Sequence, residues 1–173
     1  VVVSAEYRLA PEHPFPAAHH DALAVGRWAL RQAAHLGGDA GRVVIGGESA
    51  GANLATSTAL RTLDGPTRFA AQWLVVPGVD FSRDLGTLRE SGEWFPMLTP
   101  DDLQAISRLY LGAASDRAGH FPPSPLHAPS FQGLPPAVIA VAGHDHLRGE
   151  GLRYAAALRA DGVPVDVVEL ADM

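Results

Sequence analysis

Arg42-Val43-Val44-Ile45-Gly46-Gly47-Glu48-Ser49-Ala50-Gly51 runs from a short apolar strand pattern straight into a G-x-S-x-G pentapeptide. Ala52 to Leu63 continues as an alanine-rich run with helical spacing. A serine on a sharp turn between a strand and a helix takes up strained backbone angles. Small flanking residues let neighbouring elements approach such a turn without clash. The hydroxyl then stands clear of the sheet, and the N-terminal amides of the helix point back at any anion that develops there during acyl transfer. Ser49 is therefore the candidate nucleophile. The plainer alternative is a small-residue turn in which Ser49 only caps the helix. Strand before and helix after favour the nucleophile.

The rest of the chain repeats this alternation. Val1 to Tyr7 reads as a buried strand, and the prolines at 11, 14 and 16 make Arg8 to Pro16 a loop. Ala17 to Leu36 follows as a helix, with Ala18, Ala22, Val25, Trp28, Ala29 and Ala33 at helical intervals and Gly37-Gly38 as its stop. Phe69 to Val76 is the next strand, ended by Pro77-Gly78. Ala137 to Ala142 and Val163 to Leu170 are strands on either side of a helix from Arg148 to Ala160. Strands alternating with helices predict an α/β fold: a mostly parallel sheet flanked by helices, covered on both faces. Arg83 to His127 departs from the pattern. It carries one clear helix, Asp101 to Leu111, announced by Thr99-Pro100-Asp101-Asp102, and reads as a cap-like excursion within a single domain spanning residues 1–173.

Bulk properties exclude several classes. The chain has 173 residues, 47% of them hydrophobic, which suffices for one core. A formal net charge of −6 with no basic cluster argues against nucleic acid or an anionic membrane as partner. No apolar run is long enough for a transmembrane segment. Cysteine is absent, so disulfides and thiolate metal sites are excluded, and a cytoplasmic setting is the expectation. Val1 opens in mid-strand and Asp172-Met173 follows an apolar run directly, so the chain reads as a fragment cut at both ends.

In parallel sheets, functional side chains gather beyond the C-terminal strand ends. Besides Glu48, two carboxylates lie there: Asp80 after the strand ending near Val76, and Asp145 after Ala137 to Ala142. Asp145 follows Ser49 in the order serine, acid, histidine, and is favoured to hold an imidazole's tautomer. The base is harder to find. All eight histidines lie at or before His146, and His144 and His146 adjoin Asp145 too closely for it to orient them toward a serine turn. His19-His20 sit within a helix as surface or packing residues. His144-Asp145-His146 offers imidazole and carboxylate ligands, but alternate residues leaving a strand point to opposite faces and no third ligand is evident, so no metal is expected.

Taken together, several motifs resemble the hormone-sensitive-lipase-like family of α/β-hydrolase serine esterases. They are Tyr7-Arg8-Leu9-Ala10-Pro11-Glu12-His13-Pro14-Phe15-Pro16-Ala17, Gly47 to Gly51, Val76-Pro77 with Asp80, Leu98-Thr99 with the helix to Tyr110-Leu111, Ser124-Pro125-Leu126, and Asp145 with Leu147-Arg148 and Glu150-Gly151. The resemblance runs essentially end to end. It implies Ser49 as nucleophile, Asp145 as triad acid, the Ala50 backbone amide as an oxyanion donor, and no cofactor. It implies too that the family's H-G-G-G segment and its catalytic histidine fall outside these 173 residues, and that another strand belongs between Val1 to Tyr7 and Val43 to Gly46. Where the family often has Asp-Pro-Leu-Arg-Asp-Glu-Gly, this chain has Asp145-His146-Leu147-Arg148-Gly149-Glu150-Gly151. Trp94, Phe95, Leu98 and Tyr110 are candidates to line an acyl pocket under the cap, with ordinary cap packing as the equal alternative. The implied activity is hydrolysis of small to medium acyl esters, nearly silent in the fragment alone. The alternative is a receptor-like relative on the same scaffold that binds a small ligand without catalysis, and a third possibility is a gene fragment that fails to fold. The oligomeric state is not encoded in any motif.

Overall fold

The computed structural model describes residues 1–91 and 98–173. Four strands, β1 (Val44–Glu48), β2 (Ala71–Val75), β3 (Ala137–Ala142) and β4 (Val165–Leu170), form one sheet in the order β1-β2-β3-β4. All neighbouring pairs are parallel. Helices α1 (Ala17–Gln32), α2 (Ala50–Arg61), α3 (Leu85–Ser91), α4 (Pro100–Leu111) and α5 (Arg148–Ala160) make up the rest of the regular structure, with short 3-10 turns between them. The α4 start is specified locally. Thr99 Oγ1 accepts from the Asp102 N–H, the Asp102 carboxylate accepts from the Thr99 N–H, and Pro100 fills the first helical position.

The core forms where α2 and α5 press on one face of the sheet. Leu74, Ile139 and Val141 meet Ala52, Ala55 and Ala59 of α2 and Tyr154, Ala155 and Leu158 of α5, all buried. Small residues set the spacing. A Cβ on Gly151 would lie 2.7 Å from the Val141 Cγ1, and one on Gly47 would collide with the Gly51 carbonyl. Helix α1 packs on α2, where a Cβ on Gly26 would come within 2.7 Å of the Thr58 methyl.

Three expectations are corrected. Among the described residues, helices cover one face of the sheet: the strand residues Val44, Trp73, Val138, Val168 and Leu170 project to the other and are exposed, Trp73 by 62%. Apolar alternation identifies which side chains want burial, but not whether a second layer exists to bury them. Val1 to Tyr7 is not a strand either; it is irregular and largely exposed. A strand needs a hydrogen-bonding partner. Between this segment and the outer edge of β1 lies a groove of about 920 Å³, bordered by Val1 to Ala5 and by Val43 to Gly46. Along α1 and its C-cap the predicted stripe holds in part: Ala18 and Ala33 are buried and Ala22, Val25 and Ala29 half-buried, but Trp28 is exposed and His19, Leu23, Gly26 and Leu30 make up the rest of the buried face.

Candidate active site

Ser49 sits between the end of β1 and the first turn of α2 with φ 51° and ψ −115°. A positive φ is rare for a residue with a Cβ and costs on the order of 1–3 kcal/mol. The capping alternative fails here, because the Ser49 side chain makes no cap hydrogen bond. Its residue is exposed and its Oγ has no hydrogen-bond partner among the described residues. The backbone, by contrast, is fixed: the Ser49 N–H donates to Val75 O at 2.9 Å, and Ser49 O accepts from the Asn53 N–H at 3.1 Å. Ala50 opens α2, so its amide belongs to the first turn, where the helix offers no acceptor.

Asp145 follows β3 and is half-buried. Its Oδ1 accepts from the Leu147 N–H at 2.7 Å, and its backbone is tied by Asp145 N–H to Ala142 O and Arg148 N–H to Asp145 O. No described residue donates to the other carboxylate oxygen, which is left available. Asp80 differs. Its Oδ1 accepts from the Ser82 N–H (2.9 Å), the Ser82 hydroxyl (2.6 Å) and the His127 Nε2 (3.1 Å), and its Oδ2 from Arg153 (3.3 Å). Burial would raise the Asp80 pKa, but these Ser82 and His127 hydrogen bonds hold it below the ordinary carboxylate range. A carboxylate engaged on both oxygens is less free than Asp145 to orient a further imidazole.

Ser82, His127 and Asp80 also form a second serine, histidine, carboxylate triangle, with Ser82 Oγ 3.2 Å from His127 Nε2. It is not a relay. A triad uses the two imidazole nitrogens for different partners, whereas here Nε2 faces both Ser82 and Asp80, and the serine hydroxyl bonds the carboxylate itself.

The remaining histidines do not supply a base. His144 is exposed. The His146 side chain is only 3% exposed, its Nδ1 lies 3.6 Å from Asp145 Oδ1, and burial lowers its pKa. Both its ring nitrogens lack hydrogen-bond partners. His19 is a packing residue, as one of the two sequence alternatives had it. Its Nδ1 is 3.0 Å from Ser57 Oγ, and burial first, then the Arg61 charge, lowers its pKa to about 4. Among the described residues, no group of three or more His, Cys, Asp or Glu side chains is placed to hold a metal.

Of the candidate pocket residues, Trp94 and Phe95 lie outside the described residues. Leu98 is half-buried just before α4. Tyr110 stacks on Phe81 (centroids 5.0 Å apart, 15° between planes) and meets Phe15 edge-on at 6.3 Å. Its O accepts from the Phe15 N–H at 2.7 Å, which fastens α4 to the approach to α1.

The residues that sequence reasoning passed over lie around the loop after β2. Asn53 Nδ2 donates to Gly78 O (2.7 Å) and Pro123 O (2.8 Å). Ser124 Oγ accepts from the Phe81 N–H at 2.7 Å. Glu150, 3% exposed, accepts the Val79 and Asp80 N–H groups on Oε2 at 2.8 and 2.9 Å and pairs its Oε1 with Arg83 at 2.6 Å. Burial pushes the Glu150 carboxyl up to about 7, against the opposing pull of Arg83. Glu150 and Ser124 belong to the motifs that carry the resemblance; that signal marked the positions without a role.

Comparison with known proteins agrees with this geometry. A family model described as α/β hydrolase fold matches residues 1–173. Esterase LipI of Mycobacterium tuberculosis is 42% identical over 171 residues, covering 96% of this chain and 52% of that protein. The carboxylic ester hydrolase LipN of the same organism is 43% identical over 173 residues, covering 96% of this chain and 46% of that protein. Among solved structures, DphMB1 superposes with a TM-score of 0.88 at 40% identity, over 97% of this chain and 56% of that one. The chain thus spans about half the length of the curated relatives it matches. Elbow, parallel sheet and sequence similarity agree, and the chain belongs to the α/β hydrolase fold family, as its resemblance to hormone-sensitive-lipase-like esterases implied.

Proposed function

We propose that the whole protein hydrolyses carboxylic esters of small to medium acyl chains through an acyl-enzyme. The observation that carries this reading is Ser49: a non-glycine residue at φ 51° on a strand-to-helix turn, its amide bonded to Val75 O and its hydroxyl unbonded among the described residues. Such a hydroxyl is held ready for a base and a carbonyl carbon. In the reaction Ser49 Oγ attacks the ester carbonyl and the alkoxide leaves with a proton from a histidine. Water then releases the acid by the same route in reverse. Asp145 would orient that histidine through its free oxygen. The Ala50 N–H, at the positive end of α2, would donate to the oxyanion. Leu98 and Tyr110, with Trp94 and Phe95, would line the acyl side beneath residues 83–127 acting as a cap. The names of the relatives, esterase and carboxylic ester hydrolase, support the substrate class.

Within the 173 residues no histidine is bonded to Ser49, and loss of a triad histidine costs roughly a millionfold in rate. The expected result is that the full-length protein reacts with a fluorophosphonate at Ser49 and turns over a short-chain aryl ester, that Ser49→Ala does neither, and that the 173-residue chain is nearly silent. An unlabelled, folded, full-length protein would overturn the proposal.

A further inference from the structure

Between Ser49 and Asp145 lies the loop that follows β2, and Glu150 is the side chain that fixes it from the acid's side. The loop is attached to the nucleophile helix at two points, Val75 O to the Ser49 N–H and Gly78 O to Asn53 Nδ2. Val76, between them, has φ 39°, a backbone angle that a β-branched residue takes only where its surroundings impose it. On the other side, Glu150 stands in the first turn of α5, and the loop that carries Asp145 runs directly into that turn. Leu147 N–H bonds the Asp145 carboxylate, Arg148 N–H bonds Asp145 O, and Gly151 N–H bonds Leu147 O. A single carboxylate oxygen of Glu150 then takes the consecutive amides of Val79 and Asp80, one residue past the Asn53 anchor.

We propose that Glu150 is a positioning residue for the ester-hydrolysis site, setting the distance between Ser49 and Asp145 by clamping the Val79-Asp80 backbone to the start of α5, to which the loop carrying Asp145 is bonded. The inference rests on the roles proposed above for Ser49 and Asp145. A buried carboxylate is an expensive way to fill space, and apolar residues of similar volume often stabilise a fold as well or better. What an apolar side chain cannot do is accept two neighbouring amides and pair its charge with Arg83, whose Nε lies 2.6 Å from Glu150 Oε1 and donates its hydrogen bond to Asp80 O. The charged and titratable groups around Glu150 are Arg83 and Asp80 on the loop, Arg153 on α5, His127 beside Asp80, and His146 beside Asp145. None of them replaces its two amide contacts. Because near-attack geometry is sensitive to shifts of about an ångström, a loosened clamp acts on the chemical step and not on substrate binding.

The test is made on the full-length protein with two variants. Glu150→Gln keeps one acceptor but turns a donor toward Arg83 or the amides; Glu150→Asp keeps the charge and is one methylene too short to reach both amides. Each is measured for kcat and KM on a short-chain aryl ester and for the rate of fluorophosphonate labelling at Ser49, with active sites counted by the same label. The expected result is a fall of about 10- to 100-fold in kcat and in labelling rate, with KM within about threefold of wild type. Should the Gln variant not fold, the Asp variant decides. Either variant, folded and with kcat within about twofold of wild type, overturns the proposal, as does a change confined to KM. A wild type that Ser49→Ala leaves unchanged would instead overturn the esterase reading, so the two failures are distinct.

Discussion

Two apolar stretches of this chain have opposite fates. Val76-Pro77-Gly78-Val79, at the C-terminal end of β2, is held on all sides: Val76 N–H bonds Ala140 O, Gly78 O takes Asn53, Val79 N–H takes Glu150, and Val79 O accepts from the Leu126 N–H. Val1-Val2-Val3, beside the outer edge of β1, makes no ladder. Val79 is 0% exposed and Val2 is 93% exposed. By hydrophobicity alone the valine run should be the better buried of the two. The difference lies in the backbone. Where peptide groups find partners from α2, β3 and α5, the side chains follow them inside; where they find none, water remains the better acceptor.

The contrast can be broken most sharply at the elbow. Gly47→Ala would place a Cβ against the Gly51 carbonyl, which is backbone and cannot swing away. The turn must then open and Ser49 shift. The expected loss is about 3 kcal/mol or more in denaturant unfolding of the full-length protein, together with loss of fluorophosphonate labelling. Gly51→Ala is a fair control, because a Cβ there meets nothing within 4 Å. If both variants unfold alike, close packing at Gly47 is not what secures the well-bonded rim.

His19 marks where the loosely held N-terminal part becomes anchored to α2. It is 1% exposed, bonded to Ser57 of α2, and its pKa falls from 6.5 to about 4. With a folded pKa below the unfolded one, its contribution is fully present above 6.5 and is lost as the pH falls through 4. The size is about 3 kcal/mol. Glu150 works in the opposite sense: its carboxyl is raised from 4.5 to about 7, so that contribution shrinks as the pH rises through the same window. The difference between wild type and His19→Gln isolates the histidine. Wild-type unfolding free energy should drop relative to the variant between pH 7 and pH 4, and a flat difference would mean that His19 titrates normally.

The fold was legible where neighbouring residues carry the instruction. Val43 to Gly51 encodes strand, turn and helix start within nine positions, and each position is constrained by its neighbours. The stripe on α1 was right at Ala18 and Ala33 and wrong at Trp28, because much of the buried face is built on His19 and Gly26, which no apolar count would select; Gly26 lets α2 approach. Val1 to Tyr7 was misread for a different reason. Strand propensity is local, while a ladder partner is not. At the candidate site, Ser49 and Asp145 follow β1 and β3, where the sequence put them. Glu150 and Asn53 were not legible, since one acid in a first turn and one amide in a helix are ordinary in sequence, and their partners lie 71 and 25 residues away.

The smallest effect bears on the open face of the sheet. Trp73, with ladder partners Gly46 and Val138, is 62% exposed, and a Cβ on Gly46 would lie 2.7 Å from Trp73 O, so no larger side chain shelters the indole from that side. In the 173-residue chain, Trp73→Thr removes little buried area and keeps a β-branched residue in the strand; the expected change is within about 0.5 kcal/mol. In a version of the protein extended to the length of its relatives, the outcome depends on whether a layer covers this face. A layer packed over Val44, Trp73, Val138 and Val168 would make the same substitution cost about 3 kcal/mol, as for a buried tryptophan cut back. Equal, small changes in both would mean that the face stays open, and that the sheet is held by its helical side and by the rim around Glu150 alone.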